Sequence, residues 1–269
     1  MPLLVRTWNV FHGNTKPPQR RAFLDEMVRL ASADEPDVVC LQEVPAWAIP
    51  RLGRWSGMQS IGAIAQPPRL GPLPWTATLG RFVTAANHGL FRSAVAGQAN
   101  ALLLAPAIRI LERRLLVLNA PSFRAAQAHW LELGCVASLA WAKERRVCLA
   151  VRALLPDGRT AVIATLHATA YSADQRLADA ELLRAVVFAD GLAESADVCV
   201  VAGDFNVAAA RSRTLTDVVD WGFSVGATGI DQVLVRGARA TPAHRWPDER
   251  RRRERWLLSD HAPVEVQVE

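Results

Sequence analysis

The chain is poor in lysine, tyrosine and cysteine, and it lacks long uninterrupted apolar runs. Lysine stands only at positions 16 and 143, so 29 of the 31 basic residues are arginine. Together with abundant alanine, that skew is what a GC-rich genome writes as readily as selection for a phosphate ligand does. The net charge of +5 and a pI near 9.5 suit an anionic substrate without specifying one. No charge-free window of about 18 apolar residues occurs, which argues against a membrane span. Ala101–Ala120 comes nearest and is broken by Arg109, Glu112, Arg113 and Arg114. No basic start followed by a long apolar stretch opens the chain, so no secretory leader is expected and a cytoplasmic location is. Cys40, Cys135, Cys148 and Cys199 show no CxxC spacing, and three of them sit inside apolar runs. They read as free thiols in a reducing compartment, not as disulfides or zinc ligands. Internal repeats and low-complexity linkers are missing too. The 269 residues are enough for a sizeable core, and one domain and a monomer are expected.

What is present alternates between strand and helix patterns. Leu3–Asn9 reads as a first strand, Arg20–Ala33 has helical apolar spacing stopped by Pro36, and Asp37–Leu41 is a second, fully apolar strand ending at Gln42-Glu43. Pro45 to Gln98 is hard to read beyond a helix near Thr76–Ala86. Ala99–Ala105 and Ile108–Asn119 suggest further strands, or a strand and a helix, and Ala125–Glu144 has helical character. Val147–Leu155 and Thr160–His167 are strands joined by Pro156-Asp157-Gly158, a hairpin signal. Ser172–Leu192 reads as a helix capped by Ser172. A strand over Asp197–Ala202, a short helix over Arg213–Trp221, and strands over Ile230–Val235 and Pro263–Val268 complete a layered α/β pattern.

The polar residues with catalytic chemistry fall at the ends of these strands. Asn9 ends the first, Glu43 follows the second, and His167 closes the hairpin. Asp204 and Asn206 follow the next, Asp231 starts another, and Asp260-His261 precedes the last. Carboxylates and imidazoles placed there converge on one rim, where a substrate reaches them; inside a strand the same unpaired charges would cost several kcal/mol.

The motifs TWNV (Thr7–Val10), LQEV (Leu41–Val44), TLH (Thr165–His167), GDFN (Gly203–Asn206), IDQVLV (Ile230–Val235) and SDH (Ser259–His261) occur in this order. Each is weak alone. Jointly they resemble the endonuclease/exonuclease/phosphatase superfamily along nearly the whole chain. The resemblance implies a four-layered α/β/β/α sandwich of two mixed sheets with flanking helices, and hydrolysis of phosphate esters with Mg²⁺ or Mn²⁺. It implies Glu43 as the main metal ligand, with Asn9 and Asp260 completing the shell. Asp204 and Asn206 would orient or deprotonate the attacking water, His261 would contact phosphate while paired with Asp231, and His167 would be the second histidine of the nucleases. Oxygen donors are what such hard cations prefer.

Further candidates for substrate binding are His12 in the first loop, Asn100, which resembles a family asparagine supporting the site, and Arg251 and Arg252 in the run Arg250–Arg253. His88, His129 and His244 have no motif around them. The acidic residue that many relatives carry near Asn100 is not evident, which puts a general-acid role for His167 in doubt. A nuclease acting on DNA or RNA leads the readings. A phosphatase or diesterase on inositol phosphates, phospholipid headgroups or other small phosphoesters stands beside it, and so does a catalytically silent nucleic-acid-binding module, whose mark would be loss of Glu43, Asp204 or His261. None is lost.

Overall fold

The computed structural model describes residues 2–70, 73–87, 93–226 and 229–269. In chain order the principal elements begin with β1 (Leu3–Asn9), α1 (Leu24–Ser32), β2 (Val38–Val44) and β3 (Gln59–Gln66). Next come α2 (Ala77–Ala86), β4 (Gln98–Leu104), β5 (Arg109–Val117), α3 (Pro121–Trp130) and α4 (Cys135–Ala142). Then follow β6 (Val147–Leu154), β7 (Thr160–His167), α5 (Arg176–Asp190) and β8 (Val198–Asp204). The chain closes with α6 (Arg213–Asp220), β9 (Asp231–Arg236) and β10 (Val264–Val268).

Two six-stranded mixed sheets result. One runs His244–Arg245, β10, β1, β2, β4, β3; the other runs Ser224–Val225, β9, β8, β7, β6, β5. Among the described residues only β1–β2 and β7–β8 pair in parallel, each pair spanned by a crossover helix, α1 or α5. Side-chain alternation assigns the layers. Val5, Val38, Cys40 and Leu102 face Leu149, Ile163, Val200 and Val233 in a core shared by the two sheets. The intervening residues Trp8, Val39, Leu41 and Leu103 pack outward against Leu24, Met27 and Val28 of α1. On the other outer face Val162, Ala164 and Val201 meet Leu182 and Val186 of α5 and Leu215 of α6. Burial on both faces is why these strands read as continuous apolar runs. The α/β/β/α sandwich is therefore observed.

Several boundaries differ from the sequence reading. The second strand continues to Val44 instead of stopping at Leu41, since a bulge between Leu41 and Val44 keeps it paired to β4 through Glu43. Ile108–Asn119 holds a strand alone. Ala125–Glu144 divides into α3 and α4 around residues 131–134. Ser172 is not a cap: α5 begins at Arg176, whose N–H is held by the Asp174 carboxylate. The cap of α2 is Thr76, which accepts from Leu79 N–H. All four cysteines are free; Cys40, Cys148 and Cys199 are buried and Cys135 is exposed. Among the described residues no helix is long and apolar enough to cross a membrane.

Candidate active site

Register aligns the site. His167, the last residue of β7, lies opposite Asp204, the last of β8, and Asp204 lies opposite Asp231, the first of β9. Neighbouring strands are about 4.8 Å apart, so three functional side chains stand side by side on one sheet edge. Gly203 makes this approach possible. Its φ is +156°, and a Cβ there would lie 2.0 Å from the Leu166 carbonyl oxygen of the adjacent strand.

The other sheet supplies the facing groups. Asn9, at the end of β1, donates from Nδ2 to Glu43 Oε1 at 3.1 Å and to Asp204 Oδ2 at 3.0 Å, so one amide ties the two sheets together. Glu43 sits at the bulge with φ +55°, a kink that re-aims its side chain off the sheet. Its Oε2 lies 2.8 Å from His12 Nδ1. His261 is delivered by the bend after Leu258. There Ser259 Oγ donates to the Asn9 carbonyl at 2.6 Å and accepts from His261 N–H, while Trp8 Nε1 donates to the His261 carbonyl at 2.9 Å. His261 Nδ1 stands 2.9 Å from Asp231 Oδ2 and its Nε2 is 3.7 Å from Asp204 Oδ2. His167 Nε2 approaches the same Asp204 oxygen to 3.6 Å and Glu43 Oε1 to 3.8 Å. Asp204 thus lies between two imidazoles and under one amide.

Charge balance follows from these distances. Burial, joined by repulsion from Asp231, raises the Asp204 carboxyl to about 7. Burial works against a charged His261, but the hydrogen bond and charge of Asp231 outweigh it and raise the ring to about 9. His167 goes the other way, to about 3, through burial and then the nearby Arg146 charge. Burial also opposes ionisation of Glu43, yet the attraction and hydrogen bond of His12 hold it below the usual carboxylate range. The two histidines beside Asp204 therefore differ in kind: His261 is an imidazolium at neutral pH and His167 is neutral.

Arg146 explains His167 further. Its Nη1 is 3.2 Å from His167 Nδ1 and its Nη2 donates to Glu144 at 2.7 Å. A guanidinium only donates, so Nδ1 accepts and the proton of the neutral ring sits on Nε2, toward Asp204 and Glu43. The partner of the His167 ring is thus a cation, in keeping with the acidic residue that the sequence lacks near Asn100. Together with Lys143, Gln98 and Thr169, Arg146 lines a cavity of about 290 Å³ that also exposes His12, Glu43 and His167. None of these four was singled out from sequence. The available signal was the cationic stretch Lys143–Arg146 directly before a strand paired to the TLH strand. Thr169 is held by the buried Glu181, whose carboxylate accepts from Thr169 N–H, Thr169 Oγ and Trp141 Nε1.

Six of the candidates make contacts that the sequence reading did not foresee. Asn9 turns its nitrogen to the carboxylates, and its Oδ1 accepts from Phe11 N–H at 3.0 Å, so in this arrangement it orients Glu43 and Asp204. Asp260 is exposed and lines a second cavity of about 610 Å³ with Asp231 and His261, because the bend that turns His261 inward leaves its neighbour outside. Among the described residues the polar neighbours of Glu43 are Asn9, His12 and His167, and Asp260 is not one of them. Arg251 is buried and its Nη atoms donate to the carbonyls of Leu258, Ser259 and His261 and to Asp248. Arg252 is exposed but lines neither cavity. Asn100 is buried and donates to the Val147 carbonyl, linking the sheets instead of meeting substrate. Asn206 has φ +51°, donates its amide to the Ala168 carbonyl and gives its N–H to Asp204 Oδ1, so it supports the site floor. His12 does join the site. His129 and His244 are exposed, and His88 lies outside the described residues.

The chain matches the description Endonuclease/Exonuclease/phosphatase family over residues 7–261. It belongs to that family. Among curated proteins none matches. Solved structures share its fold at low identity. An endonuclease/exonuclease/phosphatase from Beutenbergia cavernae superposes with a TM-score of 0.69 at 15% identity, covering 99% of this chain and 71% of that one. An endonuclease/exonuclease/phosphatase from Bacteroides vulgatus gives 0.68 at 13% identity, covering 100% and 99%. The human Nocturnin catalytic domain with bound sulfate anion gives 0.67 at 16% identity, covering 100% and 93%. Family membership makes the protein one of a superfamily of metal-dependent phosphoesterases that includes nucleases and phosphatases. The donor set fits a hard divalent cation. The Glu43 and Asp204 carboxylates share the Asn9 amide, ligand atoms of Asp204, Asp231 and His261 lie within 4.8 Å of one another, and Asp204 is raised by burial and then by the Asp231 charge, a repulsion that a cation would relieve.

Proposed function

We propose that the protein is a Mg²⁺- or Mn²⁺-dependent phosphodiesterase whose substrate is nucleic acid. One observation carries the reading: the Asp204 carboxylate, fixed by Asn9, stands within 3.7 Å of both His167 and His261. Glu43, opening into the cavity it shares with His12, is the residue that would hold the cation. When bound, the metal would neutralise charge on the phosphoryl oxygens.

The remaining chemistry belongs to the chain. A phosphodiester repels an incoming oxygen nucleophile, so the site must gather positive charge and activate water. Asp204, with an affinity for protons near 7, accepts the proton of a water as its oxygen bonds to phosphorus. The ester oxygen on the opposite side leaves with the bonding pair and is protonated from solvent. His261, kept cationic by Asp231, faces the negative charge that develops meanwhile. Neutral His167 offers its Nε2–H as a hydrogen-bond donor. Lys143 and Arg146 at the cavity wall supply charge for a neighbouring phosphate, which favours a polyanion over a lone small ester.

A panel with Mg²⁺ tests this: plasmid DNA, single-stranded RNA, bis(4-nitrophenyl) phosphate and inositol phosphates. Cleavage of a nucleic acid, lost on chelation, is expected. Turnover of a small ester with every nucleic acid left intact would overturn the substrate class.

A further inference from the structure

A second cationic cavity lies away from Asp204. Its volume is about 490 Å³, and its walls include Arg20, Arg21, Arg81 and Trp47. Arg51 and Arg81 lie over the Trp47 ring, with guanidinium carbons 5.5 and 5.6 Å from its centroid. Trp47 Nε1 is buried and has no hydrogen-bond partner among the described residues. A buried donor left without an acceptor keeps its desolvation cost uncompensated, so an acceptor is called for. Counter-charge is scarce as well. Among the described residues no carboxylate comes within 4.0 Å of Arg20, Arg51, Arg54 or Arg81, and Arg21 reaches only Glu26, at 3.8 Å. Burial, and then repulsion from Arg81 and Arg54, lowers the proton affinity of Arg51. The cavity thus combines unbalanced positive charge with an unused N–H, and two guanidinium groups already lie over the tryptophan ring, which makes a phosphate a better complement than a stacked base.

Its position in the chain ties it to the active site. The turn carrying His12 (Phe11–Gly13) continues to Arg20 and Arg21, and Trp47 follows Glu43 by four residues. Four residues span at most about 14 Å, roughly four steps of a stacked strand at about 3.4 Å each.

We infer that this arginine-walled cavity is a remote phosphate subsite, binding the backbone of a nucleic-acid strand whose scissile phosphate lies at Asp204. The inference rests on the nucleic-acid reading above. Its test measures binding apart from chemistry. Fluorescence anisotropy of a labelled single-stranded oligonucleotide, in Ca²⁺ or without metal, is followed from 50 to 300 mM salt for the wild type, Arg20→Ala, Arg81→Ala and Trp47→Phe. Each arginine variant should weaken binding about tenfold at low salt and reduce the slope of log affinity against log salt by about 1. Trp47→Phe, which keeps a ring but drops the donor, should weaken binding several-fold with the slope retained. Hydrolysis of bis(4-nitrophenyl) phosphate by the arginine variants should stay at wild-type rate. Unchanged affinity and slope in both arginine variants, or no oligonucleotide binding by the wild type, overturns the subsite. Absence of small-ester hydrolysis in the wild type would instead count against the hydrolase reading.

Discussion

Replacing Gly203 by alanine perturbs the site through its backbone alone. The added Cβ would lie 2.0 Å from Leu166 O, 3.0 Å from Leu166 C and 3.1 Å from Leu166 N. A carbon needs roughly 3.2 Å or more from a carbonyl oxygen, so the strands must separate by about 1 Å, since normal carbon contacts fall near 3.5 Å. The obstacle is backbone in a seven-rung parallel ladder from Ala161↔Val198 to His167↔Asp204, and no flexible side-chain tip can yield instead. Overpacking of this kind costs about 1–3 kcal/mol, and the φ of +156° adds about 1 kcal/mol or more. A total of about 3 kcal/mol in a chain of this size lowers Tm by roughly 6–12 °C. Catalysis suffers separately, because a displacement of about 1 Å at Asp204 relative to His167 and His261 costs about 100-fold in rate. Differential scanning fluorimetry and Mg²⁺-dependent hydrolysis of bis(4-nitrophenyl) phosphate read the two effects. Gly158→Ala is the control: its φ is +86° with nothing within 4 Å of the new Cβ, so it should lose only about 1 kcal/mol and keep its rate. A Gly203→Ala variant melting within 2 °C of wild type at full activity would refute the reasoning.

Other expectations follow the same residues. Arg146→Met removes a cation from the cavity that exposes Glu43 and the group that fixes the His167 tautomer, so KM for a diester should rise about tenfold, as for one charge-assisted contact, and kcat should fall with it; steady-state kinetics with both unchanged would count against its role. Glu43→Gln should raise the Mg²⁺ concentration for half-maximal rate by tenfold or more, read from metal titrations, and an unaltered metal requirement would remove Glu43 from the metal site. The Arg6 hydrogen bonds lower Asp34 from 3.8 to about 2, so their contribution to stability is full above about pH 4 and is lost as pH falls through 2. Because the Asp34 side chain is 42% exposed, that contribution is discounted to about 1 kcal/mol. Urea unfolding of wild type and Arg6→Met at pH 5 and pH 2 should show the gap between them narrowing by this amount; a constant gap would be inconsistent.

Much of this site was readable because its members punctuate strands. Asn9, His167, Asp204 and Asp231 each sit at a strand end, where local apolar runs announce the boundary, and their alignment follows once the strands pair. What stayed hidden depends on long-range geometry. Arg146 meets His167 only because β6 pairs with β7, Leu166 opposite Cys148. Arg251 turns inward to carbonyls seven and eight residues later, contacts that a run of arginines does not reveal. Adjacent residues Asp260 and His261 look equivalent in the motif, yet one bend exposes the first and points the second at Asp231. The bulge at Glu43 was likewise missed, for an apolar run carries no sign of the register shift that re-aims a side chain.

The central claim is that Asp204 takes the proton of the attacking water. It is tested by single-turnover hydrolysis of a phosphodiester by Asp204→Asn, with Mg²⁺ affinity measured calorimetrically on the same preparation. The account predicts a fall in rate of about 100- to 10,000-fold with the fold and most metal affinity retained. Turnover at the wild-type rate in that folded, metal-binding variant would contradict it.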